Sequence, residues 1–122
     1  MNTNIIDIAE EAKKILSSPE KHCTEVPARD ASGKEVLVGS PEACRFCYYG
    51  AAHRAAINLG FEKQYIDNSM IGGDFYKASG AAAKRLGYYT EGVSIINDNP
   101  DYGYPHVIKI YDEVIRFEKE GK

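Results

Sequence analysis

The stretch that most constrains the fold runs from Ser40 to Gly60, SPEACRFCYYGAAHRAAINLG. Ser40 is a favourable helix cap, Pro41 suits a first helical turn, and Gly60 stands where a glycine commonly ends a helix. Between them, apolar and small residues recur every three or four positions and form one stripe: Cys44, Cys47, Tyr48, Ala51, Ala55 and Leu59. The sequence therefore predicts a central helix over about 40–60, with alanines that let neighbouring helices approach closely.

Other segments also have helical spacing. Isoleucines and alanines predict a first helix over about 4–17, and a second periodic segment predicts a helix over 74–86 that stops at a glycine. Pro105 opens a last helix. Residues 61–67 predict a short helical turn, and residues 92–97 fit either a helical turn or a strand.

Residues 19–40 lack a helical period. Residues 24–26 and 35–38 have the pattern of short strands and flank the turn sequence Asp30-Ala31-Ser32-Gly33, which predicts a β-hairpin over about 24–38. Such a hairpin is marginal alone and has to pack on the helices. We therefore predict a mainly α fold: a small four-helix domain around the central helix, with one hairpin, formed by residues 1–122 as a single globular domain.

Composition excludes several function classes. The chain has 122 residues, a net charge of −3 and scattered basic residues, so nothing favours nucleic-acid binding. No apolar run approaches the roughly 18 residues that span a bilayer, which speaks against a membrane partner. Three cysteines, an odd number, and the absence of an export signal favour a cytoplasmic location.

Cys44 and Cys47 form a C-x-x-C motif at the predicted start of a helix, a position that lowers a thiol pKa. A thioredoxin-type site requires this motif directly after a strand of a βαβ unit, and too few strands are predicted. Zinc requires four ligands, and no second pair of cysteines or histidines has the right spacing. We therefore predict neither a metal nor a cofactor.

Cys47 is also a candidate nucleophile, because small residues follow it on the helix as in thiol hydrolases. Its base cannot be His53, which follows six positions later and lies some 120° away around the helix. The base would be His106, or less plausibly His22, brought in by tertiary packing. A buried structural cysteine is the commoner role for such a residue.

The nine tyrosines are the one unusual feature of the composition. Tyrosines often lie half-buried with the hydroxyl reaching solvent or a ligand. They fit a tyrosine-rich edge of the core, which is the simpler interpretation. The alternative is a binding face made of six of them: Tyr48, Tyr49, Tyr88, Tyr89, Tyr102 and Tyr104.

Arg29 and Asp98 are the polar residues for which two interpretations compete. Arg29 could hold a phosphate or carboxylate bidentately, although pairing with Asp98 or capping a helix is the simpler role. Asp30 and Asp98 most simply stabilise turns through their side chains. Gly72-Gly73 is too short for a phosphate loop, and no phosphate-binding glycine motif occurs.

Several short motifs occur in one order along the chain: Ile15-Leu16, Ala28-Arg29-Asp30 with Gly33, Cys47-x-x-Gly50-Ala51, Asn97-Asp98 and Val107. In the order and spacing of these motifs, the chain resembles a small family of bacterial and phage domains of unknown function, over roughly residues 6–117. Family members usually have tryptophan where Phe46 and Ile96 stand, and a Trp-Gly-like start to the hairpin that residues 22–27 lack.

The resemblance implies that six residues come together: Arg29, Asp30, Cys47, Gly50, Asn97 and Asp98. They would form either a structural clasp or a small ligand site. The preferred function is a non-enzymatic binding module for a partner protein or a small anionic, including nucleotide-like, ligand. The alternative is a hydrolase or transferase that depends on Cys47 and a distant histidine. A third class, a self-associating assembly subunit, stays open.

Overall fold

The mainly α class with one β-hairpin is confirmed by the computed structural model, which describes residues 3–70 and 72–121. The described helices are α1 (Thr3–Ile15), α2 (Tyr48–Asn58), α3 (Lys63–Met70), α4 (Asp74–Arg85), α5 (Val93–Asp98) and α6 (Tyr104–Glu120). Two short antiparallel strands, β1 (Ala28–Arg29) and β2 (Arg45–Phe46), form the hairpin. A single 3-10 turn, Pro19–Lys21, follows α1.

Helix α2 lies at the centre of the fold, as predicted. It packs on α1, α3 and α5 and on strand β2. The face towards these neighbours is made of fully buried alanines: Ala51, Ala52, Ala55 and Ala56. Helices α1 and α6 run antiparallel beside it, since Glu10 pairs with Lys119 and Lys13 with Asp112. Burying one side chain such as Ile8 in this core contributes about 1.5–3 kcal/mol.

The central helix begins later than predicted, at Tyr48 instead of near Ser40. Ser40 caps only a local turn, in which its Oγ accepts from the N–H of Glu42. The chain is then extended, because β2 pairs with β1 and the carbonyl of Phe46 accepts from the N–H of Cys23. Long-range pairing thus keeps 45–46 out of the helix, and the cap falls to Cys47.

The predicted hairpin over 24–38 is placed differently in both halves, since its first strand is Ala28–Arg29 and not residues 24–26. The turn at Asp30–Gly33 forms as predicted, with the Gly33 N–H donating to the Asp30 carbonyl. Beyond it Glu35 bridges back to Arg29 and the Val36 N–H donates to the Ala28 carbonyl at 3.1 Å, but the partner strand of β1 is β2. The pairing ends after Val36, and Arg54 of α2 donates to the carbonyls of Val38 and Ser40 at 2.8 and 3.0 Å, which holds this loop against the helices.

The other helix boundaries follow their local signals. Helix α4 ends before Gly87, whose φ of +85° is the left-handed conformation of a glycine stop. Pro105 lies in the first turn of α6. The ambiguous segment 92–97 is helical, as α5. None of the helices in the described part of the chain combines the length and the apolar character needed to cross a membrane.

Candidate ligand pocket

A cavity of about 370 Å³ opens beside the N-terminal half of α2. Its walls come from the loop before β1, from α2, α3 and α4, and from the end of α5. The lining residues are Glu25, Val26, Pro27, Cys47, Tyr48, Tyr49, Gly50, His53, Ile66, Asp67, Met70, Tyr76, Ser94, Asn97 and Asp98. A concave, mostly apolar site of this size with a few convergent polar groups is typical of small-molecule binding.

The side chain of Asn97 ties three distant segments together at one wall of the pocket. Its Oδ1 accepts from the Tyr48 backbone N–H at 2.9 Å and lies 2.7 Å from Nε2 of His22. Its Nδ2 donates to the carbonyl of Cys23 at 3.2 Å and to Oδ1 of Asp98 at 2.8 Å. Because Oδ1 only accepts, Nε2 of His22 carries a proton. Asn97 is 1% exposed, and each of its two polar side-chain atoms makes two hydrogen bonds, so the side chain acts as a structural clasp.

Asp98 extends this clasp to the rim of the pocket. Its Oδ1 also accepts from the backbone N–H of Glu25 at 3.0 Å. Among the described residues, Glu25 is the one non-glycine residue with a positive φ, at 74°. An L-residue in this conformation costs about 1–2 kcal/mol. Such strain tends to be kept where a site requires it, which makes the rim of the pocket a candidate functional region.

Cys47 is a half-buried thiol at the start of α2. Its Sγ accepts from the Gly50 N–H at 3.2 Å. Burial raises the pKa of this thiol, and the hydrogen bonds from the N–H groups of Gly50 and Tyr49 do not offset that effect. The pKa depression expected from the helix start is therefore wrong for Cys47, because desolvation outweighs the dipole.

His53 lines the same pocket as Cys47 and follows it by six positions along the chain. Six positions of helix separate them by roughly 9 Å of rise, and no hydrogen bond joins them among the described residues. Burial lowers the pKa of His53, with nearby Asp67 acting in the opposite direction. His53 is therefore a neutral imidazole on the pocket wall at neutral pH.

His106 and His22, the bases proposed for Cys47, lie in other environments. Nδ1 of His106 is 2.6 Å from the hydroxyl of Tyr88, and its ring contacts Tyr102. It does not line the pocket that holds Cys47. His22 is engaged through Nε2 with the clasp of Asn97. Among the described residues, neither histidine is hydrogen-bonded to Cys47.

The six residues singled out by the resemblance separate into two groups. Cys47, Gly50, Asn97 and Asp98 lie at the pocket. Arg29 does not line it and instead donates to the carbonyls of Gly33 and Thr24 at 2.9 and 3.2 Å. Asp30 accepts from the N–H groups of Ser32 and Lys34 and from the Ser32 hydroxyl, which stabilises the turn.

Gly50 allows the loop before β1 to approach α2. A Cβ added at Gly50 would lie 1.9 Å from the carbonyl oxygen of Pro27. That carbonyl accepts from the Cys47 N–H at 3.2 Å, so the loop is fixed to the helix start at this point. The absence of a side chain at position 50 is therefore a requirement of the pocket wall.

The tyrosines do not form one face. Tyr48 is fully buried and stacks on Tyr111, with centroids 4.1 Å apart. The rings of Tyr49 and Tyr76 stack at 5.6 Å and 20° and form a wall of the pocket. A separate aromatic cluster contains Tyr88, Tyr89, Tyr102 and His106. The hydroxyl of Tyr104 donates to the Leu16 carbonyl at 2.6 Å.

Several lining residues could not be found from the sequence. Glu25, Asp67 and Tyr76 come from three elements that are distant along the chain. No motif marks them, and each has the pattern of an ordinary surface position. Only tertiary packing, of α3 against α2 and of α4 against α3, brings the last two to the pocket.

Comparisons with protein-family models, with curated proteins and with solved structures find no match to this chain. The geometry of the pocket is therefore the basis for the functional proposal.

Proposed function

We propose that the protein is a binding module whose pocket takes a small organic molecule. The observation that carries this proposal is the cavity itself: about 370 Å³, with an aromatic wall and polar groups at one rim. Its apolar surface includes Ile66 and Met70, which pack with the core at 3% and 8% exposure, so this side of the cavity is preformed. A preformed pocket avoids much of the ordering cost of binding.

The charges at the pocket argue against the anionic ligand that the sequence suggested. Glu25, Asp67 and Asp98 contribute carboxylates, and none of the described lining residues is a lysine or arginine. The N-terminal N–H groups of α2, the usual anion site, already donate to Asn97 and Cys47. Arg29, the candidate anion binder, is engaged with backbone carbonyls.

We propose that the protein works in the reducing environment of the cytoplasm. Cys23, Cys44 and Cys47 are all free thiols, and Cys44 is exposed. An exposed free thiol is compatible with the cytosol and is disfavoured in secreted proteins.

The alternative function, a thiol hydrolase or transferase, is favoured by one observation, the presence of Cys47 and His53 in one pocket. Against it stand the raised pKa of Cys47 and the length of helix between the two groups. Iodoacetamide labelling at about pH 6 separates the two functions. A catalytic thiolate is alkylated rapidly at this pH. If the protein is a binding module, Cys47 is alkylated more slowly than exposed Cys44.

The binding proposal is tested by a fragment screen monitored by NMR of the labelled protein. We expect fragments whose shifts are confined to the pocket residues, and a loss of at least about fivefold in affinity for Tyr76→Ala. Tyr89→Ala is the matched control, because Tyr89 is 58% exposed, Tyr76 is 45% exposed, and Tyr89 lies outside the pocket. A screen without hits, or hits unaffected by Tyr76→Ala, would contradict the proposal.

A further inference from the structure

We propose that the ligand of this pocket is a small organic cation, an ammonium group carried on an aromatic or aliphatic body. This inference rests on the proposed binding function and names the ligand class for the same site. Two independent features of the pocket support it, the carboxylates at its rim and the stacked tyrosines of its wall.

The carboxylates give the lining of the pocket a net negative charge. The carboxylate of Glu25 makes no ion pair with any described residue. Oδ1 of Asp98 accepts hydrogen bonds from two uncharged N–H groups. Asp67 pairs with Lys63 at 2.7 Å, but the Lys63 side chain is 90% exposed, so water screens that pair. A cation entering the pocket therefore meets carboxylates without a competing positive charge on the lining.

The aromatic wall provides the second feature. Tyr49 and Tyr76 lie nearly parallel, and Tyr48 meets Tyr49 edge-on at 5.0 Å and 84°. The face of a tyrosine ring carries negative charge density, which attracts an ammonium group and packs well against an aromatic body. The apolar side chains of Ile66 and Met70 complete a surface for the uncharged part of the ligand.

His53 is compatible with a cation because its imidazole is neutral. The charged groups that face it are Asp67 and Lys63, which act on its pKa in opposite directions, and burial lowers that pKa. A neutral imidazole adds no repulsion and offers a nitrogen that can accept from an ammonium N–H.

The test uses three probes of matched shape and different charge: 3-phenylpropylamine, 3-phenyl-1-propanol and 3-phenylpropionate. Binding is measured by NMR titration to about 10 mM, because a probe of about ten non-hydrogen atoms that gains about 0.3 kcal/mol per atom has a dissociation constant of about 6 mM. We expect the amine to bind about tenfold more tightly than the propionate, with the alcohol between them. Glu25→Gln and Asp67→Asn should each weaken the amine about threefold and leave the alcohol unchanged.

Glu42→Gln, an exposed position outside the pocket, is the control for the change in net charge. The proposal of a cationic ligand would be overturned if the propionate bound as tightly as the amine, or if Glu25→Gln and Asp67→Asn left the affinity for the amine unchanged. Either result would leave the proposed binding function standing. If none of the three probes binds, the proposal of a cationic ligand is likewise overturned. The fragment screen then decides the binding function separately, because it does not depend on the charge of the ligand.

Discussion

The side-chain oxygen of Asn97 caps the central helix by accepting from the N–H of Tyr48, which lies 49 positions earlier in the chain. The same side chain fixes the loop at His22 and Cys23. One amide group therefore connects the end of α5, the start of α2 and the loop that leads to the pocket rim.

Replacing Asn97 with alanine is expected to destabilise the protein by about 2–4 kcal/mol, since it leaves the Tyr48 N–H and the Cys23 carbonyl buried without partners. Asn97→Asp should also be destabilising, because it removes the donor to Cys23 and places a second carboxylate against Asp98. Urea denaturation measures both. Asn68→Ala, at an exposed position on α3, is the control and should change stability little. A normal urea midpoint for Asn97→Ala would show that the clasp is dispensable.

Glu25→Gly should stabilise the protein by about 0.5–1 kcal/mol, because glycine removes the cost of a positive φ and this gain exceeds its larger unfolded-state entropy. Glu42→Gly, the same change at an exposed position without a positive φ, should be destabilising. Denaturation midpoints of the two variants decide between strain at Glu25 and a general effect of removing glutamate.

Gly50→Ala is expected to cost at least about 2 kcal/mol, since the new methyl would overlap the Pro27 carbonyl and backbone cannot move aside as a side chain would. Gly39→Ala is the matched control, because its Cβ would meet only the tip of Ile57 at 3.8 Å. Thermal unfolding compares them. Equal melting temperatures would mean that the loop before β1 is not fixed against α2.

The ionisation of Glu113 should make the free energy of unfolding depend on pH in the acid range. Hydrogen bonds from Arg116 and Arg85 lower the pKa of Glu113 to about 2 from 4.5. A depressed carboxylate pKa gives stability that is fully present above about 4.5 and is lost as the pH falls towards about 2.

Wild type should therefore exceed Glu113→Gln in stability at about pH 6, with a difference that shrinks as the pH is lowered to about 3. Glu62→Gln, at an exposed position, should follow the wild-type profile. A difference that is constant with pH would assign the effect of Glu113→Gln to packing instead of charge.

Much of the fold was predictable because its signals are local. The helix predicted over 74–86 forms as Asp74–Arg85, and the last helix opens at Pro105, since periodicity and proline or glycine act within one or two turns. The start of α2 was not predictable. The sequence Ser40-Pro41-Glu42 has good capping chemistry, but pairing of β2 with the distant β1 decides the conformation there.

The candidate site was predictable only in part, for the same reason. Cys47 and Asn97 carry motifs that point to them, and both lie at the pocket. Asp67 of α3 and Tyr76 of α4 reach it through the packing of separate helices, which no short-range pattern encodes. The carboxylates of the lining meet through that packing, so the sequence suggested an anion where we propose a cation.

The stacked pair of Tyr49 and Tyr76 gives the pocket an optical signal of its own. The chain contains no tryptophan, so its near-ultraviolet circular dichroism comes chiefly from tyrosine. The pair formed by Tyr48 and Tyr111 reports the core, whereas a ligand against Tyr49 and Tyr76 changes the asymmetry of rings at the surface of the cavity. Occupancy can thus be followed without a label, and the part of the signal that Tyr76→Ala removes belongs to the pocket.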